Sequence, residues 1–160
     1  MGLIGFKRHN HDECIAQAVR AVDEQCVRDK LQLTPVRRKV LEILLFQHRA
    51  LGAYDILEQL KDEGFGSQPP VAYRALDFLV KHGFAHKIER LNAFIACTHP
   101  GENHEPAFLI CRHCAAVAEA TNEPVLGNLG AAAQDAGFTI EQTCVELEGV
   151  CAKCQSTSDV

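Results

Sequence analysis

Two cysteine pairs, Cys111-x-x-Cys114 and Cys151-x-x-Cys154, carry the sharpest chemistry in the chain. Two intervening residues let both thiolates of a pair grip one ion, and four thiolates complete a closed tetrahedral zinc shell. The 36 residues between the pairs exceed the span of a compact zinc ribbon, so an ion there must tie the start of a small module to its end. Such a shell leaves no open position, and the expected site is structural rather than catalytic. The plainer alternative is two unrelated pairs, free or redox-active.

A looser set comprises His86, Cys97, His104 and Glu119, with His99 nearby. These residues lie on both sides of the loop-like stretch Thr98 to Glu105, so a metal held by them would fix one part of the chain against the other. One thiolate with two imidazoles suits zinc better than iron or manganese, which prefer harder ligands. Against this stands the ordinary reading of a lone His or Cys as surface or core.

Tyr73 and Arg74 fall in the first turns of a helix opening at Pro70, where a recognition helix meets base edges. Arginine is the usual reader of guanine, and tyrosine can touch a base methyl or a phosphate. The alternative is that Tyr73 packs and Arg74 is a solvated charge. Arg37, Arg38, Lys39, Lys81 and Lys87 are candidate phosphate contacts. His9, His11 and Cys14 form a small N-terminal group, either an adventitious metal site or a mobile end. Cys26 and Cys144 occupy apolar positions and read as buried thiols.

The elements that must position these residues follow from periodicity. Ile15, Ala18, Val19, Val22 and Cys26 recur at helical spacing over about 12–30. Thr34-Pro35 is an N-cap followed by proline at the first helical position, opening a second helix to about His48. A third helix is expected over Ala53–Glu63. A fourth follows Ser67-Gln68-Pro69-Pro70 and ends at Gly83. Strands Phe84–Ile88 and Ala93–Cys97 flank Arg90-Leu91-Asn92 as a hairpin. Beyond the loop come strands Ala107–Cys111 and Ala116–Glu119, a helix Pro124–Ala136 and a strand Phe138–Leu147. The expected class is α+β: an N-terminal winged helix-turn-helix domain (1–98), a linker (99–105) and a small α/β dimerisation domain (106–160) that needs a staple or a partner.

Composition agrees with this division. Of the 160 residues 47% are hydrophobic, enough for a packed core. No apolar run could span a membrane, and no secretory signal opens the chain, so a cytoplasmic protein is expected. Eight cysteines in a reducing compartment point to metal rather than disulfides. Residues 1–90 hold 14 Lys/Arg against 12 Asp/Glu, a net of +2, whereas residues 91–160 hold 2 against 9, a net of −7. Any DNA contact must therefore lie in the first half.

Leu33-Thr34-Pro35-x-Arg37, Ala53-Tyr54-Asp55-Ile56-Leu57, Tyr73-Arg74-Ala75-Leu76-Asp77-Phe78-Leu79 and Gly83-Phe84-Ala85-His86-Lys87-Ile88-Glu89, with the two cysteine pairs, together resemble the ferric uptake regulator (Fur) family. Within it they resemble the zinc uptake regulator branch. The resemblance covers about residues 12–154. It implies a homodimer with two zinc ions per subunit, structural on Cys111, Cys114, Cys151 and Cys154 and regulatory on His86, Cys97, His104 and Glu119. It further implies operator contacts through Tyr54 and Arg74, with Tyr73 beside them, and repression of zinc-acquisition genes by the zinc-loaded dimer on palindromic DNA. Two departures are visible: Pro70-Val71-Ala72 replaces the usual Pro-Thr-Val, and the His-rich linker of iron and peroxide sensors is missing, which favours the zinc branch. The alternatives are a sensor of iron or manganese within the same family, or a constitutive zinc-stapled DNA-binding protein. An enzyme is not expected, because two His, one Cys and one Glu fill a zinc shell that catalysis needs open.

Overall fold

The computed structural model describes residue 6 and residues 10–102, 104–121 and 123–157. Four helices come first. α1 (His11–Arg28) starts where the Asn10 side chain accepts from the Glu13 N–H, with Asp12 and Glu13 in its first turn and Arg28 in its last, all favourable to the helix dipole. α2 (Pro35–Phe46) is capped by Thr34, whose Oγ1 accepts from the Arg37 N–H at 3.4 Å. α3 (Ala53–Asp62) begins at Gly52, whose N–H donates to the Asp55 carboxylate at 3.1 Å. α4 (Pro69–Lys81) ends at Gly83, whose φ of +75° lets the Phe84 N–H return to the Leu79 carbonyl at 2.8 Å. Their apolar faces meet in one cluster that includes Val40, Leu41, Leu44, Ile56, Leu60, Leu76, Leu79 and Phe84. Each such side chain contributes about 1.5–3 kcal/mol through burial.

A two-stranded wing follows. β1 (Ala85–Ile88) pairs antiparallel with β2 (Ala93–Ala96), with His86 opposite Ile95. A 3-10 turn, Glu89–Leu91, and Asn92 in the left-handed region join them. The second sheet has the order β4-β3-β5: β3 (Pro106–Cys111) is antiparallel to β4 (Val117–Thr121) and parallel to β5 (Val145–Gly149). A parallel return requires a crossover, supplied by α5 (Glu123–Asp135). A short α6 (Ala152–Gln155), not expected from the sequence, follows β5. The α+β class and the order of elements are as expected.

Two details differ. The expected strand Phe138–Leu147 begins only at Val145, because Val145 pairs with Ala107 and the one β3 residue before it, Pro106, has no N–H to donate to a further rung. Phe138 and Cys144 are accordingly exposed, so Cys144 is not the buried thiol its apolar neighbours suggested. Cys26 is buried, as expected.

Pleating decides what faces what. On the wing, Ala85, Phe94 and Ala96 join the helical core, while Ile88 and Ile95 face the other way. There they meet Phe108, Ile110 and Val117 of the second sheet in a separate cluster. The chain between α2 and α3 joins the same seam: Leu51 bridges Phe94, and Arg49 bridges Ala116. The Arg49 guanidinium also donates to the Cys114 carbonyl at 2.7 Å.

Candidate metal centres and nucleic-acid face

β3 and β5 run parallel with Cys111 opposite Gly149, so the residues just beyond each strand are neighbours. After β3 the chain turns tightly, the Ala115 N–H reaching the Cys111 carbonyl at 2.9 Å with Ala115 at φ +59°. After β5, Cys151 caps α6, and Cys154 sits one turn on. The four sulfurs lie within 4.8 Å of one another and none is in a disulfide. Cys114 Sγ and Cys151 Sγ are 3.8 Å apart. That matches the edge of a tetrahedron with zinc–sulfur bonds of ~2.3 Å, which is about 3.8 Å. Backbone N–H groups of Cys151 and Cys114 aimed at Cys111 lower its pKa to about 6 and favour its thiolate. Cys154 is pushed up by its contact with the Cys151 sulfur first, and then by burial and the sulfurs of Cys114 and Cys111. The donor set fits zinc.

The second cluster assembles across the seam. His86 shares the β1 face of Ile88, and Cys97 continues the β2 face of Ile95. Glu119 shares the β4 face of Val117, opposite Phe108. The His86 ring packs on Phe108 at 5.6 Å between centroids. His104 arrives from the connecting segment. The four ligand atoms lie within 4.8 Å of one another. Glu119 Oε1 is the hub: 2.6 Å from His104 Nε2, 3.2 Å from His86 Nε2 and 3.8 Å from Cys97 Sγ, with Cys97 Sγ 3.6 Å from His104 Nε2. His86 Nε2 is buried and, despite its nearness to Glu119, lies off the line a hydrogen bond requires. A buried imidazole nitrogen left in this way, facing a thiol and a carboxylate, fits a cation. The 2.6 Å contact marks the proton such a cation would displace.

Glu119 is 4% exposed. Burial alone would raise its pKa, but the nearby His86 imidazole, the Thr98 N–H and His104 outweigh it and hold the carboxyl below its usual range. Burial, seconded by Glu119, pushes the Cys97 thiol well above its usual range. Burial also disfavours the charged form of His104, yet the Glu102 carbonyl and Glu119 prevail and its pKa rises. The cluster is thus a buried carboxylate ringed by two imidazoles and a thiol, a donor set that a divalent ion can satisfy.

Tyr54 at the start of α3 is 77% exposed, Tyr73 on α4 is 45% exposed, and Arg74 is exposed beside it. Tyr54 and Tyr73 line one groove of about 550 Å³ together with Lys81, Lys87 and Asn92. Arg37, Arg38 and Lys39, read from the sequence as phosphate contacts, are engaged within the chain. Arg37 lies 3.9 Å over the Phe78 ring, Arg38 pairs with Asp23, and Lys39 reaches Glu42 and Glu63. In the N-terminal group, the His11 ring contacts His48 at 4.9 Å, Cys14 lines a separate cavity that reaches Cys97 and His99, and His9 lies outside the described residues.

Residues 28–148 match the family model for the ferric uptake regulator family. The zinc uptake regulation protein of Escherichia coli (strain K12) is 36% identical over 143 residues, covering 89% of this chain and 81% of the relative. Among solved structures, a zinc uptake regulator complexed with zinc and DNA superposes with a TM-score of 0.84 at 34% identity, over 96% of this chain and 100% of that one. Holo XcZur, 40% identical, gives a TM-score of 0.78 over 86% of this chain and 96% of its own. Its apo form, at the same identity over 89% and 99%, gives 0.53. The chain belongs to the ferric uptake regulator family.

Proposed function

We propose that this protein is a zinc-responsive transcriptional repressor that binds palindromic operator DNA as a homodimer when zinc-loaded and silences zinc-acquisition genes. The observation that carries the reading is the His86–Cys97–His104–Glu119 cluster, assembled from the wing, the connecting segment and the second sheet. An ion there would join the reading head to the other module. The zinc- and DNA-bound neighbour and the better match to the holo than to the apo form support the same reading.

Cys111, Cys114, Cys151 and Cys154 would hold a structural zinc, and His86, Cys97, His104 and Glu119 a regulatory one. When bound, the ion supplies charge that satisfies both thiolates and carboxylate and cross-links the elements bearing them. Tyr54, Tyr73 and Arg74 would face the operator. The reading head would comprise 1–98, with 99–105 as linker and 106–160 as the dimerisation module. The protein is taken as a cytoplasmic regulator rather than an enzyme. Among the described residues no helix is long and apolar enough to cross a membrane.

Without the regulatory ion the two heads of a dimer sample many separations, and operator affinity falls with the fraction that matches the half-site spacing. Zinc restores affinity by binding the matched arrangement better. The test is metal content together with operator binding titrated against free zinc. Binding that tracks zinc alone is expected. Binding indifferent to zinc indicates the constitutive alternative, and binding that follows iron or manganese the other-metal alternative.

A further inference from the structure

Glu119 has two carboxylate oxygens, and they are not equivalent. Oε1 faces His86, Cys97 and His104. Oε2 is turned away and held by Thr98 twice, through the backbone N–H at 2.9 Å and through the hydroxyl at 3.1 Å. The hydroxyl has a single proton, and an ionised carboxylate can only accept, so that proton goes to Glu119. The 2.9 Å contact between Thr98 Oγ1 and His99 Nδ1 must then be a donation from His99 to the hydroxyl oxygen. His99 thereby orients the hydroxyl, the hydroxyl orients the carboxylate, and His99 Nδ1 is withdrawn from the ligand set. His104 is fixed similarly, its Nδ1–H donating to the Glu102 carbonyl at 2.9 Å and leaving Nε2 for the cluster.

We propose that Thr98 is a positioning residue that determines metal selectivity by confining Glu119 to one ligating oxygen. The inference rests on the regulatory-site reading above. With Oε2 held, the site offers four donors: two nitrogens, one sulfur and one oxygen. Four donors suit zinc, whereas manganese and iron(II) favour six and oxygen-rich shells. A carboxylate free to rotate adds a fifth donor atom from the same residue and admits larger coordination shells. The partners that orient ligands in this manner change metal affinity by about 10- to 100-fold when removed.

The experiment uses the full-length protein carrying one zinc per chain in the four-cysteine site. Cobalt(II) is titrated into the second site of wild type, T98V, T98S and C97S. Zinc affinity is measured by competition with a chromophoric chelator and manganese affinity by electron paramagnetic resonance. T98V removes the hydroxyl and keeps the backbone N–H. It is expected to weaken the intense four-coordinate cobalt bands and to lower zinc affinity about tenfold while manganese affinity holds or rises. T98S, which keeps the hydroxyl, should behave as wild type. A T98V protein with wild-type cobalt bands and zinc-to-manganese preference overturns the role of Thr98. C97S should abolish the sulfur-to-cobalt charge-transfer band of this site. If it does not, the regulatory-site reading itself fails.

Discussion

The two candidate metal centres differ in where their ligands come from, and the difference separates a staple from a switch. Cys111, Cys114, Cys151 and Cys154 belong to the end of β3, the turn after it and α6 with its N-cap, so an ion among them would join a module to itself. His86, Cys97, His104 and Glu119 come from the wing, the connection and the second sheet, so an ion among them would join parts that also meet through the Ile88–Ile95–Phe108 seam and several polar contacts. The first should govern whether the module exists. The second should govern how two folded parts are arranged.

The harshest break falls on the staple. In Cys114→Ser the proposed closed shell would lose a thiolate, and the sheet would lose the tie between the ends of β3 and β5. We expect insoluble or monomeric protein, read by light scattering and thermal melting. A soluble dimer with wild-type melting would remove the distinction between the centres. An ion there would also bear on the segment between α2 and α3, since the Arg49 guanidinium donates to the Cys114 carbonyl at 2.7 Å.

Next in size are Cys97→Ser and His86→Ala. Both should leave the staple zinc, the fold and the dimer intact and abolish zinc-dependent operator binding, as measured by metal analysis and a gel-shift titration. A coupling of about 1–3 kcal/mol between zinc and DNA is the ordinary scale for such a switch. Wild-type zinc dependence in either variant would move sensing elsewhere, with His99 and the N-terminal His9, His11 and Cys14 next to be tested.

How much of this was legible in the sequence follows the same division. The cysteine pairs were readable because each is local, and strand pairing had only to bring two pairs together. The mixed cluster was nameable but not derivable. Period-2 alternation puts His86 with Ile88 on one face of the wing, yet only tertiary packing decides that this face meets Glu119. The helices were readable from Thr34-Pro35, Gly83 and their apolar spacing. The expected strand from Phe138 is too long because alternation cannot reveal that β5 pairs with β3 only from Ala107–Val145 onward. For Arg37, Arg38 and Lys39 the sequence shows candidate phosphate contacts, but not the partners Phe78, Asp23, Glu42 and Glu63, which become visible only when the helices pack. Nothing in the sequence marks Thr98, whose role depends on which oxygen of Glu119 it holds.

A change on the DNA face should be blind to both centres, which sharpens the comparison from outside. Arg74 is exposed next to Tyr73 on α4. Arg74→Ala should cost about 1–3 kcal/mol of operator affinity and relax sequence preference, with zinc stoichiometry unchanged. If its operator binding equals that of wild type, α4 does not read bases.

The smallest expected effect comes from contacts that join the same two parts without metal. The Glu146 carboxylate on β5 accepts from the Glu89 N–H at 2.8 Å and the Arg90 N–H at 3.2 Å, capping the turn of the wing, and Arg90 pairs with Glu148 at 3.1 Å. These groups are partly exposed, so each contact is worth only about 0.2–1 kcal/mol, and the Arg90–Glu148 pair is weakened further by salt. They nevertheless favour the arrangement in which His86 and Cys97 already face Glu119. Losing them lowers the population of that arrangement before zinc binds, and zinc must make up the deficit. Glu146→Ala should therefore raise the free zinc needed for half-maximal operator binding by about two- to fivefold, with affinity at saturating zinc nearly unchanged. Glu148→Ala should act in the same direction, more weakly, and its effect should fade at high ionic strength where that of Glu146→Ala persists. The opposite outcome, an unchanged zinc midpoint with lower affinity at saturation, would mean that β5 acts on the DNA-bound shape of the wing rather than on the poise of the switch.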